Sequence, residues 1–246
     1  MNVMEALPKI IGKHEPEFVD KISPFFGVME KYFRYEIRGL KNIPKKGRSM
    51  IVMNHGVIPF HGFLMAKKIV EKLGAYPRGL GADFLFHIPG VREFFIKGGA
   101  VKANPRNAEK LLKENQMVML APGGIYEALI VKPGLRRIPW ERRKGFVRVA
   151  IKTHTPIIPT FCQGINSAYF NSYFLLNKRI KLLEKSRFSL PFFFGLGFWP
   201  LPVKLVHHVG SPISVKKKAH ESKAAQIERV HRQVIEAMKS LVRLKD

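Results

Sequence analysis

Short apolar runs without charge alternate with amphipathic segments along this chain, and this alternation constrains the fold more than any other feature. Residues 50–53, 117–120 and 156–161 are runs of this kind, typical of strands buried on both faces of a parallel sheet. Helical patterns occur over residues 61–73, 105–115, 143–153 and 219–244. The pattern predicts an α/β fold, in which a largely parallel sheet is flanked by helices.

The start of the chain predicts an amphipathic helical region over residues 1–34 within a single domain covering residues 1–246. Apolar side chains between Phe18 and Phe33 recur at helical spacing, and Pro24 predicts a break into two short helices. Such a region either packs on the sheet or lies on a membrane surface. The sequence leaves both interpretations open.

Shorter elements are predicted from local signals. Residues 94–101 favour a short strand around the pair Gly98–Gly99, and residues 203–209 favour a late strand. Asn104 followed by Pro105 is typical of the start of a helix. Gly74 is expected to end the helix that begins at His61.

The charge balance predicts an anionic partner. The chain has 43 Lys and Arg against 18 Asp and Glu, a net charge of +25. Such a field attracts nucleic acid, an anionic membrane surface or an acidic carrier. The basic residues are scattered without a recognised nucleic-acid motif, and 19 Phe against 6 Tyr and 2 Trp favour acyl chains or a protein core over stacked bases. We therefore expect a membrane surface with anionic lipid as partner and no nucleic acid, with nucleic-acid binding kept as a third hypothesis.

Cellular location is expected to be cytoplasmic and peripheral to a membrane. The single cysteine, Cys162, excludes an intramolecular disulfide and suits a reducing compartment. No signal peptide is recognisable. Prolines and glycines interrupt the uncharged stretch over residues 189–203, which is therefore expected to line a pocket or touch a bilayer instead of spanning it. Metal-ligand spacing is not seen, so no metal is expected.

The turn at residues 54–62 is the strongest candidate for catalysis. It follows the strand at 50–53 and places His55 in a Gly- and Pro-rich segment. A histidine held just past a strand can face a cleft, as a general base must. A solvated turn histidine would have the same local sequence, so this segment alone does not decide.

The turn at residues 54–62 is followed along the chain by three more blocks of interest. The first block runs from Asn54 to His61, the second spans residues 98–112, the third spans residues 121–129, and further matches lie between Trp140 and Pro159. Together they resemble the glycerolipid acyltransferase superfamily, which contains the lysophosphatidic acid acyltransferases. The Pro-Gly-Gly sequence at residues 122–124 resembles the branch that approaches the mono- and diacylglycerol acyltransferases.

The resemblance implies an acyltransferase-like fold and an O-acyltransferase that moves a fatty acyl group from acyl-CoA or acyl carrier protein to a lipid acceptor. The acceptor would be 1-acylglycerol-3-phosphate or a related glycerolipid, and no cofactor beyond the co-substrate is implied. His55 would be the general base, and Gly123 and Gly124 would offer backbone N–H groups to the oxyanion. Glu127 would bind acceptor hydroxyls or orient His55. Further contacts with substrate are expected from Asn54, Arg106, Tyr126 and Lys144.

Two residues depart from the family pattern. His61 stands where the family has the aspartate that orients its catalytic histidine, and Tyr126 stands where an arginine often precedes the Glu. Neutral His61 cannot supply a negative charge to an imidazolium. One interpretation is a catalytically silent or weakened lipid-binding relative. In the other, another carboxylate, Asp83 or Glu127, orients His55, and His61 is part of an altered catalytic site.

Overall fold

The computed structural model describes residues 15–134, 137–186 and 188–244, so the expectation for residues 1–14 lies outside the described residues. The first described helix, α1 (Pro16–Tyr32), continues through Pro24, and the predicted break there is wrong. Pro24 and Asp20 are both exposed. The carbonyl of Asp20, which proline deprives of a helical donor, therefore faces water, and the helix continues.

A seven-stranded sheet forms the centre of the fold, and its strand order is β1-β9-β6-β2-β5-β3-β4. Its strands are β1 (Glu36–Arg38), β2 (Ser49–Met53), β3 (Arg78–Gly81), β4 (Val101–Lys102), β5 (Met117–Leu120), β6 (Ile157–Gln163) and β9 (Val206–Val209). The five strands from β6 to β4 are parallel to one another, while β9 is antiparallel to β6 and parallel to β1. The predicted largely parallel sheet is confirmed. A separate antiparallel pair joins β7 (Phe170–Ser172) to β8 (Phe192–Phe194).

Helices flank this sheet, as predicted. They are α2 (Phe60–Leu73), α3 (Val91–Lys97), α4 (Pro105–Lys113), α5 (Gly124–Ile130), α6 (Gly145–Lys152), α7 (Leu176–Ser186) and α8 (Lys223–Arg243). Gly74 ends α2 with a φ of 64°, and the Asn104 side chain caps α4 by accepting from the N–H of Asn107 at 2.8 Å. Both of these expectations are confirmed.

The strand predicted over residues 94–101 is mostly wrong, because α3 occupies residues 91–97 and only Val101–Lys102 is extended. Glu93 accepts a hydrogen bond from the N–H of Gly90 and closes the first turn of α3. Phe94 and Phe95 both contact the ring of Phe63 on α2. Tertiary packing of these aromatic rings outweighs their local preference for a strand.

The two faces of the sheet are buried under different helices. Met50 and Val52 of β2 pack in one apolar cluster with side chains of α4, α6 and α8. The alternate residues Ile51 and Met53 pack in another cluster with Met65 and Ile69 of α2. Side chains of a strand alternate between faces, so the charge-free runs seen in the sequence are required on both sides.

The parallel neighbours β2, β5 and β6 place their carboxyl ends together. Val52 is in register with Leu120 of β5 and Pro159 of β6. The loops that begin at Asn54, Ala121 and Gly164 therefore leave the same edge of the sheet, which we call the carboxyl edge. Open α/β sheets bind ligands at this edge.

Candidate active site

Asn54 anchors the turn that carries His55. Its side-chain amide donates to the carbonyl of Cys162 at 3.2 Å and accepts from the N–H of Cys162 at 2.8 Å. This pair of bonds ties the end of β2 to β6, and Asn54 is almost completely buried. Its polar atoms thus position the main chain that leads into the turn.

The ring of His55 is held by its own neighbour in the chain. Nδ1 of His55 lies 2.7 Å from the carbonyl oxygen of Gly56, so the neutral ring carries its proton on Nδ1 and offers Nε2 as an acceptor. Gly56 has a φ of +76°, and a Cβ there would lie 2.6 Å from Cγ1 of Ile165. A glycine is therefore required to turn its carbonyl back toward the ring.

The electrostatic setting of His55 favours the neutral ring. Burial lowers the pKa of His55 below its usual value, and the hydrogen bond to Gly56 only partly opposes this effect. The side chain nevertheless remains partly accessible to solvent. A partly accessible imidazole with a free Nε2 and a lowered pKa is unprotonated at neutral pH and can accept a proton from a hydroxyl.

Glu127 holds the main chain of His55 instead of its ring. Oε1 accepts from the backbone N–H of His55 at 3.1 Å, and Oε2 accepts from Nε1 of Trp140 at 2.9 Å. The carboxylate is buried, and burial raises the pKa of Glu127 to about 7, against the opposing effect of these two hydrogen bonds. A Cβ at Gly123 would overlap the Glu127 carboxylate, so the first glycine of Pro-Gly-Gly makes room for it.

Trp140 extends this network to the C-terminal helix. Its carbonyl oxygen lies 2.9 Å from Nε2 of His231 on α8, and its indole is fully buried. The sequence placed Trp140 among the later matches to the family, without assigning it a role. The available signal was that a buried indole N–H needs an acceptor, and Glu127 is the acceptor that the fold brings to it.

His61 lies in the first turn of α2 and is fully buried. Its Nε2 lies 2.9 Å from the carbonyl oxygen of Asn54 and therefore carries the proton. Nδ1 has no hydrogen-bond partner among the described residues. Burial lowers the pKa of His61 to about 3, so the ring is neutral and braces the main chain beside His55.

A second buried histidine lies next to His61. The ring centroids of His61 and His207 are 5.3 Å apart. The hydroxyl of Thr160 donates to the carbonyl of Val52 at 3.1 Å and accepts from Nε2 of His207 at 3.3 Å. Nδ1 of His207 then accepts from the hydroxyl of Tyr35 at 3.0 Å. These bonds fix a neutral ring, in agreement with the strongly lowered pKa that burial gives His207.

The other candidate for orienting His55 lies elsewhere. Asp83 pairs with Lys102 at 2.8 Å and with His87 at 3.2 Å, and it is largely exposed. The carbonyl of Gly56 thus takes the place in which the sequence led us to expect a carboxylate. Within the part of the chain that the structure describes, no group of three or more His, Cys, Asp or Glu side chains is arranged to hold a metal ion.

The glycine turn and Tyr126 lie beside the His55 loop. The N–H of Gly124 donates to the carbonyl of Ala121 at 3.0 Å, which leaves Gly123 as the better placed of the two expected oxyanion donors. The ring of Tyr126 lies under the guanidinium of Arg143, 5.9 Å from its centroid. Gly123 therefore remains at the site against Glu127, whereas the ring of Tyr126, one residue before Glu127, contacts Arg143.

Arg106 and Lys144 lie farther out. Arg106 is exposed in the first turn of α4, after β4. Three strand spacings, roughly 14 Å, separate β4 from β2 along the carboxyl edge. Lys144 precedes α6 and forms an ion pair with Glu228 of α8. The structure thus groups His55, His61, Glu127, Asn54 and Gly123 closely, and places Arg106 and Lys144 at the periphery.

Sequence comparison with known proteins identifies the family that this chain resembles. Residues 29–245 match the family model described as "Diacylglycerol acyltransferase". The chain is 34% identical over 181 residues to the human protein named "DGAT1/2-independent enzyme synthesizing storage lipids", which covers 73% of this chain and 53% of the relative. The bovine protein of the same name is 32% identical over 194 residues, 78% of this chain and 56% of the relative. The chain thus spans about half the length of these curated relatives.

A solved structure is similar in fold. The 1-acyl-sn-glycerophosphate acyltransferase PlsC from Thermotoga maritima superposes with a TM-score of 0.60 at 17% identity, over 98% of this chain and 88% of that one. At this identity the likeness concerns the architecture alone. It agrees with the acyltransferase-like α/β fold expected from the four sequence blocks.

Proposed function

Because this chain belongs to the diacylglycerol acyltransferase family, we propose that it transfers a fatty acyl group from a thioester donor to the hydroxyl of a glycerolipid, with His55 as general base. One observation carries the assignment of the base. Gly56 holds Nδ1 of His55 at 2.7 Å, which leaves Nε2 as the proton acceptor at the carboxyl edge of the sheet.

The proposed reaction follows from this tautomer. Nε2 of His55 takes the proton of the acceptor hydroxyl as its oxygen attacks the thioester carbonyl. The tetrahedral intermediate carries its negative charge on the former carbonyl oxygen, to which the backbone N–H of Gly123 is the proposed donor. Collapse of the intermediate forms the ester and expels a thiolate, which takes the proton back from His55.

The proposed acceptor is a neutral glycerolipid, a mono- or diacylglycerol. The names of the human and bovine relatives, which refer to storage-lipid synthesis, support this choice over 1-acylglycerol-3-phosphate. The net charge of +25 suits an anionic donor such as acyl-CoA or acyl carrier protein, and an anionic membrane surface at which the acceptor is dissolved. Among the described residues no helix has the length and apolar character needed to span a bilayer.

The test compares His55→Ala with His154→Ala in the purified protein. His154 is an exposed histidine in a turn that precedes β6, at the opposite edge of the sheet, so it is a matched control. With oleoyl-CoA or oleoyl acyl carrier protein as donor, we expect His55→Ala to lower the rate about 10²–10⁴-fold. His154→Ala should retain the wild-type rate.

The same assay decides between acceptors and between activity and simple binding. Monoolein, diolein and lysophosphatidic acid are offered separately, and ester formation with the neutral lipids is expected to exceed that with lysophosphatidic acid. Near-wild-type turnover by His55→Ala would contradict the proposed base. Lipid binding without turnover by the wild-type protein would instead support a catalytically silent relative.

A further inference from the structure

A large exposed apolar surface is formed by residues 170–186 and 188–199, which we call the aromatic platform. It includes β7, α7, β8 and the turn that follows β8. Phe198 is 88% exposed, Phe174 66% and Leu196 60%. Its other exposed apolar side chains are Phe170, Tyr173, Leu175, Leu182, Phe188, Leu190, Phe192, Phe194 and Trp199. So many exposed apolar side chains within one segment of about thirty residues mark an interaction site in a folded protein.

Hydrogen bonds anchor the aromatic platform to the rest of the fold. The side-chain amide of Asn171 donates to the carbonyls of Ala128, Leu129 and Val131 at 2.9–3.1 Å. The hydroxyl of Tyr169 donates to the carbonyl of Phe198 at 3.2 Å. The bonds from Asn171 tie β7 to the end of α5, and the bond from Tyr169 holds the turn that follows β8 next to the start of β7.

Arg179 fixes the inside of the platform and leaves it positively charged. Nη1 donates to the carbonyls of Ser172 and Phe174 at 2.8 and 3.0 Å, and Nε donates to that of Leu190 at 3.1 Å. The guanidinium lies 4.6 Å from the ring centroid of Phe192. Because these partners are uncharged, no carboxylate neutralises the cation in these contacts.

The surface of α7 adds more positive charge beside the aromatic side chains. Lys178, Lys181 and Lys185 are exposed there, while Glu184 is its one acidic residue. Phosphate groups of anionic lipids attract lysines at the membrane surface, and aromatic rings favour the interface below them. The platform therefore carries exposed aromatic and leucine side chains together with the exposed lysines of α7.

The platform also adjoins the candidate active site. The chain enters it directly from the carboxyl edge, through the turn at Ile165–Ser167 that follows β6. Its support, α5, carries Glu127, which holds the main chain of His55. A lipid leaving a bilayer beneath the platform would therefore enter the protein at the edge where His55 lies.

We propose that the aromatic platform docks onto an anionic lipid bilayer, with its phenylalanine and leucine side chains among the acyl chains and the α7 lysines at the phosphates. This orientation presents the carboxyl edge to lipid dissolved in the membrane. The delivery of an acceptor rests on the proposed function, whereas docking itself does not. Docking is therefore tested by binding, and the acyl-transfer assay is kept separate.

The first experiment measures partitioning of the protein onto two kinds of vesicle. One kind is pure phosphatidylcholine, and the other contains roughly one third phosphatidylglycerol. Phe198→Asp is compared with Leu244→Asp, because Leu244 is exposed at the end of α8, outside the platform. We expect Phe198→Asp to lower the partition coefficient at least about tenfold and Leu244→Asp to leave it unchanged. Equal loss in both variants, or loss in neither, would overturn the proposal.

The second comparison isolates the charge. Lys181→Ala on α7 is paired with Lys217→Ala, which lies at the opposite edge of the sheet in a surface cavity with Pro212 and Ile213. Lys181→Ala should weaken binding about fivefold on the anionic vesicles only. Lys217→Ala should have no such specific effect, and equal weakening by both variants would indicate a nonspecific field and refute docking through α7.

Trp199 supplies a direct readout. The chain has 2 Trp, of which Trp140 is fully buried and Trp199 is 43% exposed on the platform. Vesicles with brominated acyl chains should quench the fluorescence of the wild-type protein, and the Trp199→Phe variant should lose that quenching. Absence of quenching in the wild type would overturn the proposal. A change from dimer to monomer in Phe198→Asp with unchanged vesicle binding would instead assign the platform to contact between two copies.

The two proposals can fail separately. His55→Ala should bind vesicles as the wild type does, because His55 lies outside the platform. Phe198→Asp should retain turnover with a short-chain acceptor in solution and lose it with a membrane-embedded one. Loss of turnover with both acceptors, at normal vesicle binding, would contradict the role of the platform.

Discussion

Glu127 and His55 are joined through a side chain and a main chain: Oε1 of Glu127 lies 3.1 Å from the backbone nitrogen of His55, 72 residues away in the chain. The ring of His55 is held by Gly56 instead. Holding the ring and holding the main chain of His55 are thus tasks of two different residues. Gly56 fixes the tautomer of His55, the proposed base, and Glu127 fixes the position of its backbone.

This division predicts the effect of Glu127→Gln. Glutamine has one acceptor oxygen, so its NH₂ group must face either the N–H of His55 or Nε1 of Trp140. We expect a loss of about 1–3 kcal/mol in the free energy of unfolding and a fall in kcat of roughly ten- to a hundredfold from displacement of the base. Chemical denaturation and steady-state kinetics measure both, with the exposed Glu141→Gln as control; unchanged kcat would refute the positioning role.

Gly123→Ala should disturb the same contact from the other side. The added Cβ would overlap the Glu127 carboxylate and force it away from His55. Acyl transfer should fall by about as much as in Glu127→Gln, about tenfold or more. Gly145→Ala is the matched control, since a Cβ there meets no atom within 4 Å, and it should retain activity. Equal rates in the two variants would show that the Gly123 contact does not matter.

His61→Asp and His61→Asn separate the two explanations of the altered motif. Asparagine can still donate to the carbonyl of Asn54, which His61 does at 2.9 Å, whereas an ionised aspartate would oppose that carbonyl with a second acceptor. We expect His61→Asp to be less stable than His61→Asn by at least about 2 kcal/mol and no more active than the wild type. A tenfold gain in kcat for His61→Asp would show that His61 is a degraded form of the family's aspartate.

Buried neutral His61 makes the fold sensitive to acid. The folded pKa of His61 is about 3, and an unfolded histidine titrates near 6.5, so only the unfolded state gains a proton as the pH falls below 6.5. Stability is lost through that window. Glu127 acts in the opposite direction, because its folded pKa of about 7 exceeds the unfolded value, and stability is lost as the pH rises from about 4.5 to 7.

The two contributions are separated by comparing the wild type with His61→Asn at pH 7.5 and pH 5. The difference in free energy of unfolding should shift by about 2 kcal/mol against the wild type at the lower pH. Urea denaturation at the two pH values provides the measurement. A difference independent of pH would mean that His61 titrates equally in both states.

Much of the fold followed from the sequence because its signals are local. Charge-free runs identified β2, β5 and β6, and parallel neighbours must place their carboxyl ends together, which brings His55 and Gly123 to one edge. The glycine and asparagine signals at Gly74 and Asn104 fixed helix ends through backbone geometry. These features depend on residues that lie within a few positions of one another.

Other features depend on contacts that local patterns do not encode. Glu127 meets the N–H of His55 across β2 and β5, and the tautomer of His55 depends on the φ of one glycine. The helix α3 is stabilised by contacts of Phe94 and Phe95 with Phe63 on α2. Residues 189–203, which supply part of the aromatic platform, are interrupted by prolines and glycines, so the sequence showed their apolar character and not their position in the fold.

The bond between Trp140 and His231 has a consequence for biosynthesis. The ribosome releases the His55 turn long before α8. In addition, β1 cannot pair with β9 until residues 206–209 have been synthesised. Contacts that are so distant in sequence form slowly. The nascent chain therefore carries His55 before the support behind Glu127 has formed, and the His55 turn gains that support only after α8 has been synthesised.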